Sequence, residues 1–558
     1  MRILIKLIFS LPKKYIIICF LIICVAIFLS FSEILILSSI KPFIESLSIF
    51  NDQTLNTLDS SQFSSIKNSA YRLMTVVTFC GILRVFLIFF QYRAAGAISS
   101  KISSKTFEKI INQKYINLKS ANQSRYLSIL IQDIPRVSEA VGNFVNLVSN
   151  LILLTFISIS LIYIETRLFL MSIFVLSIIY SCIIFLFAKN LKENGENITK
   201  YNLLESSLSI STLASIVNII VGNSIYTHIK KYRSNENRLR RSQANSIIYS
   251  QIPRYIVETI GLVLFTLFII VSLASKSSFT IIAQLGTLFF AFNRILPACQ
   301  QSYSAYASIR ATAASTKNVL YALNLENKKI IKTKKRNYKK DLFKSNLINK
   351  ISINNLCFKY IDKVIEYEDF IFEQGKPTVI IGKSGSGKTT LIEILLRLME
   401  PLSGKIRLND IDLSKIDLDY YYQNISYLSQ SPFLFSGTLI DNIFFGNQTK
   451  IKKEELYKNG VLLGLEEEFG ENFLNYKISD YGRNISGGQA QRISLLRILS
   501  NIKPLIIMDE PTSALDAKTA KIFNQLLFSK TKNSILIVIS HSQSQNISFP
   551  AKLYLNNI

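Results

Sequence analysis

Six apolar segments, near residues 15–40, 71–92, 140–164, 168–188, 255–275 and 279–300, are each long enough to cross the roughly 30 Å of hydrocarbon in a bilayer. No water is present at that depth to satisfy backbone N–H and C=O groups, so the segments must fold as helices. Glu165-Thr-Arg167 alone separates the third from the fourth, and Lys276-Ser-Ser-Phe279 the fifth from the sixth. The connections at about 93–136 and 189–254 are long and basic, with Lys101, Lys105, Lys109, Arg125, Lys230, Lys231, Arg240 and Arg241. The positive-inside rule places them in the cytoplasm. A multi-pass protein of the cell inner membrane follows, with six spans and both termini cytoplasmic. Apolar residues recur at helical spacing in the first of these connections (Tyr126, Ile129, Leu130, Ile134). The spans are therefore expected to run on past the bilayer as helices. Their tips, near Tyr115–Leu118 and Asn223–His228, are expected to touch a cytoplasmic domain.

Composition agrees with this reading. The chain has 558 residues, of which 49% are hydrophobic, yet its formal charge is +27. A soluble domain rarely combines these, and basic residues lying between apolar runs fit cytoplasmic loops better than a nucleic-acid surface. No nucleic-acid partner is expected. The basic N-terminus (Arg2, Lys6, Lys13, Lys14) precedes an apolar run too long for a signal peptide. Cys19, Cys24, Cys80, Cys182, Cys299 and Cys357 form no metal-ligand spacing and no disulfide framework.

The pattern changes after a basic linker at 326–346. Residues 1–325 read as a six-helix transmembrane domain. Residues 347–558 read as an α/β domain, because short β-branched strands alternate with helical stretches: Thr378-Val-Ile-Ile-Gly382, Leu505-Ile-Ile-Met-Asp509, Ser534-Ile-Leu-Ile-Val-Ile-Ser540. The expected fold is a membrane α-helical domain joined to an α/β domain, of the P-loop nucleotide-binding type because Gly382–Thr389 follows a strand in the pattern G-x-x-x-x-G-K-[ST].

Between the first of these strands and a helix lie Gly382, Lys383, Ser384, Gly385, Ser386, Gly387, Lys388 and Thr389, which fit G-x-x-x-x-G-K-[ST] at every position. The glycines let backbone N–H groups converge on phosphate oxygens. The helix that opens at Thr390 adds the positive end of its dipole. Lys388 is expected to reach the β- and γ-phosphates of ATP, and the Thr389 hydroxyl to hold Mg²⁺. Asp509 and Glu510 end an apolar strand. Asp509 is placed to hold Mg²⁺ through water and Glu510 to polarise the attacking water. Of the two histidines, His541 follows an apolar strand, where a γ-phosphate sensor would project, and His228 falls in a basic helix. Gln430 follows the strand Ile425-Ser-Tyr-Leu428 and has an amide able to bridge Mg²⁺ or the attacking water. Tyr360 ends another strand, where its ring can stack on adenine.

With Ser486-Gly-Gly-Gln489 and Ser513-Ala-Leu-Asp516 added, these motifs stand in an order that resembles the ATP-binding cassette (ABC) exporters, over nearly the whole chain. The resemblance implies that ATP is sandwiched between two cassettes arranged head to tail, with Ser486, Gly487, Gly488 and Gln489 of one chain completing the other's site. One cassette and six spans imply a half-transporter, so the expected partner is a second copy of the chain. Two positions depart from the family pattern: Ile485 stands where leucine is usual, and Ser542 where arginine is common.

Charged groups are costly inside spans. Glu33, Arg84, Glu258 and Arg294 lie in or near them, and Arg254 opens the fifth. Either they pair with one another, or they line a basic cavity for an anionic headgroup such as pyrophosphate, which a bidentate guanidinium suits. Phe31-Ser-Glu-Ile-Leu35, Lys41-Pro-Phe-Ile44, Ile252-Pro-Arg-Tyr-Ile-Val-Glu-Thr-Ile-Gly261 and Asn293-Arg-Ile-Leu-Pro-Ala298 resemble the lipid-linked oligosaccharide flippases of bacterial protein N-glycosylation. That resemblance implies a substrate cavity containing Arg84, Arg254 and Arg294, and transfer of a lipid-linked sugar between leaflets of the membrane. Multidrug, peptide and lipid A type exporters share the same cassette. An ATP-gated channel or a regulatory membrane ATPase fits the same motifs.

Overall fold

The computed structural model describes residues 2–9, 12–51, 60–120, 123–164, 166–274, 280–325, 348–360, 363–444, 453–479, 482–540 and 549–555. The linker at 326–346, the turns at 165 and 276–279, and His541 lie outside them. The chain divides into two units. One comprises Met1–Gln113 with Ser120–Asn327, the other Lys114–Lys119 with Lys328–Ile558.

The first unit is helical. A short helix α1 (Arg2–Phe9) precedes the long helices α2 (Lys13–Asn51) and α3 (Ser60–Ile111). Past a short helix α4 (Tyr115–Ser120) follow α5 (Ile134–Ile164), α6 (Thr166–Ala214), α7 (Ile225–Ala274), α8 (Thr280–Ala311) and α9 (Ala313–Leu323). Each of the six apolar segments falls in a different long helix. Among the described residues, 13–40, 66–111 and 123–159 form helical stretches long and apolar enough to cross a membrane. Helix α2 packs on α3 and α5, α8 on α5, and α6 on α7. One apolar cluster joins Ile98, Ile102, Val137, Val141, Ile309 and Val319 to Leu4 and Leu7 of α1. A second joins Ile157, Leu191, Val257, Tyr303 and Ala307.

The outside of this unit inverts the rule for soluble proteins. Phe79, Val85, Phe86, Phe89 and Phe90 are exposed, whereas Glu33, Gln91, Ser149 and Asn150 are buried. Hydrocarbon accepts the first group at no cost, and the second group satisfies its polar atoms only inside the bundle.

The second unit is built on a parallel five-stranded sheet. Its strands are β4 (Thr378–Gly382), β7 (Ile425–Leu428), β10 (Leu505–Asp509), β11 (Ile535–Ser540) and β12 (Ala551–Leu555), in the order β12-β4-β11-β10-β7. Continuous apolar runs suit strands covered on both faces. Every residue of β10 and β11 is buried. In β10 the two faces feed two cores. Leu505 and Ile507 pack with Leu391, Ile394 and Leu395, while Ile506 and Met508 pack with Leu495, Leu496 and Phe523. Beside this sheet lies an antiparallel one of β1 (Lys350–Tyr360), β2 (Lys363–Tyr367), β3 (Phe370–Glu373), β5 (Ser403–Leu408) and β6 (Ile411–Asp412). A two-stranded ladder pairs β8 (Gly437–Thr438) with β9 (Lys477–Ile478).

Candidate functional site: a phosphate loop at the carboxyl edge of the parallel sheet

In an open parallel sheet, ligands meet the chain at the carboxyl ends of the strands. Strand register brings the motifs to that edge together. Ile381 pairs with Ser540, Ile539 with Asp509, and Met508 with Leu428. The phosphate loop after β4, the carboxylates ending β10 and Gln430 beyond β7 therefore share one rim. His541 follows directly on the end of β11 in sequence.

The phosphate loop is shaped by two glycines that nothing else can replace. A Cβ on Gly382 would lie 2.6 Å from Ser386 Oγ and 2.7 Å from the Leu555 carbonyl oxygen. Gly387 has φ +88°, and a Cβ there would lie 2.9 Å from the Tyr367 hydroxyl. That hydroxyl donates to the Gly387 carbonyl at 2.9 Å, which fixes the start of helix α10 (Lys388–Leu395). Lys388 is buried and folds back on its own loop. Its ammonium donates to the Gly382 carbonyl at 2.6 Å and to the Lys383 carbonyl at 2.9 Å. Burial lowers its pKa, and Glu510 and Asp509 work against that shift by favouring the cation. The Ser386 hydroxyl is buried with no hydrogen-bond partner among the described residues. Lys383, Ser384, Gly385 and Thr389 are exposed and Thr390 is half-buried.

Asp509 is buried, and Glu510 next to it adopts the left-handed conformation, with φ 50°. This strain costs on the order of 1–3 kcal/mol and persists only where neighbours hold it. Three do. The Glu510 N–H donates to the Ile539 carbonyl at 3.1 Å, and the Glu510 carbonyl accepts from Gln491 Nε2 at 3.0 Å and from Ser513 Oγ at 3.1 Å.

Gln491 is a residue the sequence reading missed. It is buried in helix α11 (Gly487–Ser500), and its carbonyl also accepts from the Ala514 N–H at 2.8 Å. It ties the helix behind Ser486–Gln489 to the backbone of both Glu510 and Ala514. Its position two residues past Gln489, on a helix whose buried residues are mostly apolar, was the available signal.

Ser486 and Gln489 form a reciprocal cap. The Gln489 N–H donates to Ser486 Oγ at 3.2 Å, and Gln489 Oε1 accepts from the Ser486 N–H at 2.8 Å. Around Gly487 a Cβ would meet open space, so its backbone is accessible from outside. Helix α12 (Ala517–Lys530) is capped by Asp516, which accepts from the Thr519 N–H at 2.8 Å and takes an ion pair from Arg492. The Thr519 hydrogen bonds hold the Asp516 carboxyl below its ordinary pKa.

Tyr360 ends β1, paired with Lys363 of β2, and its side chain lies outside the described residues. Gln430 is exposed. Among the described residues, no three His, Cys, Asp or Glu side chains converge as a metal cage. An exposed Thr389 hydroxyl and the strand-end Asp509 fit Mg²⁺, which takes one or two protein oxygens and completes its shell with phosphate and water.

Helix α4 belongs to this unit through Lys114–Lys119. Glu393 lies on α10, just behind the phosphate loop, and is buried. Its carboxylate accepts from the Tyr115 hydroxyl at 2.9 Å and from Lys119 Nζ at 2.7 and 2.9 Å. Burial and the bond to Glu393 push the Tyr115 phenol up to about 12. The tip expected near Tyr115–Leu118 thus meets the nucleotide domain through a charged latch. The tip at Asn223–His228 is a turn that runs into the start of α7, and the half-buried His228 ring stands 3.3 Å from the Thr212 hydroxyl. Glu393→Ala is expected to leave ATP turnover within about twofold while transport falls about tenfold, a coupling loss within the usual range. Parallel phosphate-release and transport assays on one preparation measure it.

Of the arginines placed in a substrate cavity, Arg84 pairs with the buried Glu33 and also lines a cavity in the first unit. Arg254 is exposed and lies near the Tyr255 ring. The side chain of Arg294 lies outside the described residues.

Residues 367–513 match the ABC transporter family. The heterocyst differentiation ATP-binding protein HepA of Nostoc sp. is 26% identical over 362 residues, 64% of this chain and 58% of that protein. The ATP-dependent lipid A-core flippase of Francisella tularensis is 31% identical over 272 residues, 48% of this chain and 43% of that protein. The chain thus spans less than two thirds of the length of these relatives. In three dimensions it is similar to a bacterial Atm1-family ABC exporter with ATP bound, with TM-score 0.78 and 14% identity, covering 98% of this chain and 94% of that one. Residues 367–513 are therefore similar to the ABC transporter family, and the chain has the fold of an ABC exporter.

Proposed function

We propose that two copies of this chain use ATP binding and hydrolysis to move a lipid-linked oligosaccharide, or a similar anionic glycolipid, across the cell inner membrane. The observation that supports the ATPase half is the shared rim, where the phosphate loop, Asp509 and the strained Glu510 come to one sheet edge. Lys388 leaves the Gly382 and Lys383 carbonyls for the β- and γ-phosphates. Thr389 and Asp509 would hold Mg²⁺, which would supply neutralising charge at the phosphate oxygens. Glu510 orients the attacking water and takes its proton, with Gln430 and His541 flanking the γ-phosphate. The outward-facing amides after Ser486 close over the nucleotide of the partner copy, as helix N-termini do over anions. Closure passes to the membrane helices through the Tyr115–Lys119 latch.

Support for a lipidic substrate comes from the lipid A-core flippase among the relatives, and for a sugar from the flippase-like segments around Arg84, Arg254 and Arg294. The test reconstitutes the full chain in proteoliposomes with fluorescent polyprenyl-diphosphate oligosaccharide and follows its loss from the outer leaflet. ATP-dependent transfer is expected. ATP turnover without transfer, joined to transfer of a peptide or drug, would reassign the substrate.

A further inference from the structure

The first unit has a partly open cavity of about 250 Å³ between α2, α3, α5 and α8. It is smaller than the about 300–1,000 Å³ of sites that hold a whole drug-sized ligand, so it holds one ring-sized group. Its polar wall is unusual for its depth. Gln91, Ser149, Asn150, Asn293 and Gln301 all line it, and Arg84 is the one charged lining residue among those described. Polar side chains inside spans face a bundle interior or a cavity and mark substrate paths.

Two hydrogen bonds preset this wall. Gln91 Nε2 donates to Ser149 Oγ at 2.9 Å, and Asn150 Nδ2 donates to Gln301 Oε1 at 3.3 Å. These bonds use one donor of Gln91 and the acceptor of Gln301. The Gln91 carbonyl and the Gln301 NH₂ remain, so the wall offers both acceptors and donors. The Arg84 guanidinium is paired with Glu33, which is only 1% exposed, so the one cation among the described lining residues already has a carboxylate beside it.

We infer that this cavity is a subsite for an uncharged, hydroxyl- and amide-bearing ring of the substrate, such as an N-acetylated hexosamine. Hydroxyl and acetamido groups donate and accept at once and match the remaining amide atoms. A metal or a phosphate matches only one half of them. The assignment deepens the glycolipid reading and rests on it for the choice of lipid carrier.

The chain has no tryptophan. Ile88→Trp, at an exposed lining position, therefore supplies a single reporter in the cavity. The full-length protein in lipid nanodiscs is titrated with polyprenyl diphosphate carrying N-acetylglucosamine, with bare polyprenyl diphosphate, and with unattached N-acetylglucosamine. The sugar-bearing lipid is expected to change the emission and to bind at least about tenfold tighter than the bare lipid. Gln91→Met with Gln301→Met is expected to remove that advantage, since two amide hydrogen bonds account for about tenfold. Equal binding of the two lipids, or no emission change, overturns the assignment and needs no variant. An advantage that survives in a folded double variant also overturns it. Unattached sugar binding as tightly as the lipid-linked form overturns the lipid-headgroup assignment. Sugar-dependent binding without transfer in proteoliposomes overturns the transport proposal and leaves the subsite standing. Transfer without sugar-dependent binding does the reverse.

Discussion

Glu510→Gln is expected to bind ATP and to turn it over at least about a hundredfold more slowly than the native chain, the lower end of what a positioned base contributes. Glutamine keeps the length and shape of the side chain and has a carbonyl that still accepts a hydrogen bond. It cannot take a proton. The backbone that aims it should survive, because Glu510 is held at φ 50° by the Ile539 carbonyl, Gln491 and Ser513, and none of these bonds uses its carboxylate. Loss of turnover with retained nucleotide binding thus isolates the chemical step. Phosphate release and nucleotide binding measured on the same preparation check it. Turnover within about twofold of native would remove Glu510 from the role given to it.

Arg84→Ala is expected to destabilise the membrane unit by about 3–5 kcal/mol, with Glu33→Ala added to it restoring most of the loss. The Glu33 carboxylate is buried against α3 and paired with Arg84. Removing Arg84 takes a cation away from a carboxylate held in a low-dielectric interior, which costs more than removing both. Thermal unfolding of the single and double variants in lipid nanodiscs measures the difference. The pair has a consequence for transport experiments. A single Arg84 variant that stops transport reports stability as well as substrate contact, and only the double variant separates them. If the single variant unfolds like the native protein, Glu33 has another source of neutralisation.

The rim that gathers the phosphate loop and the strand-end carboxylates was legible because its parts are local in sequence. Gly382–Thr389 must be contiguous for backbone amides to converge, and Asp509-Glu510 must end a strand of the same sheet. The continuous apolar run of β10 announced a strand buried on both faces, and β10 feeds two cores. The helical unit was legible for a different reason: hydrocarbon leaves an apolar run few folds. Gln491 escaped because its work is done across the fold, on a carbonyl 19 residues away in sequence. The same holds for Glu393, which reads as an ordinary helix residue until Lys119, 274 residues earlier, lies against it. In the spans, charge was visible but partnership was not. The sequence allowed both a structural pair and a basic cavity, and Arg84 takes part in a pair while also lining a cavity. The amide wall of Gln91, Asn150 and Gln301 had no sequence signal, because it is assembled from three different helices.

The account depends on two copies closing on nucleotide, with the Ser486–Gln489 turn of one over the phosphate loop of the other. The most direct measurement replaces the native cysteines, places cysteine at Ser384 and Gly487 on a Glu510→Gln background, and applies a short thiol cross-linker. Both positions are exposed. The account predicts a cross-linked dimer that forms with ATP and magnesium and is absent without them. Cross-links confined to single chains, or a dimer indifferent to nucleotide, would contradict it.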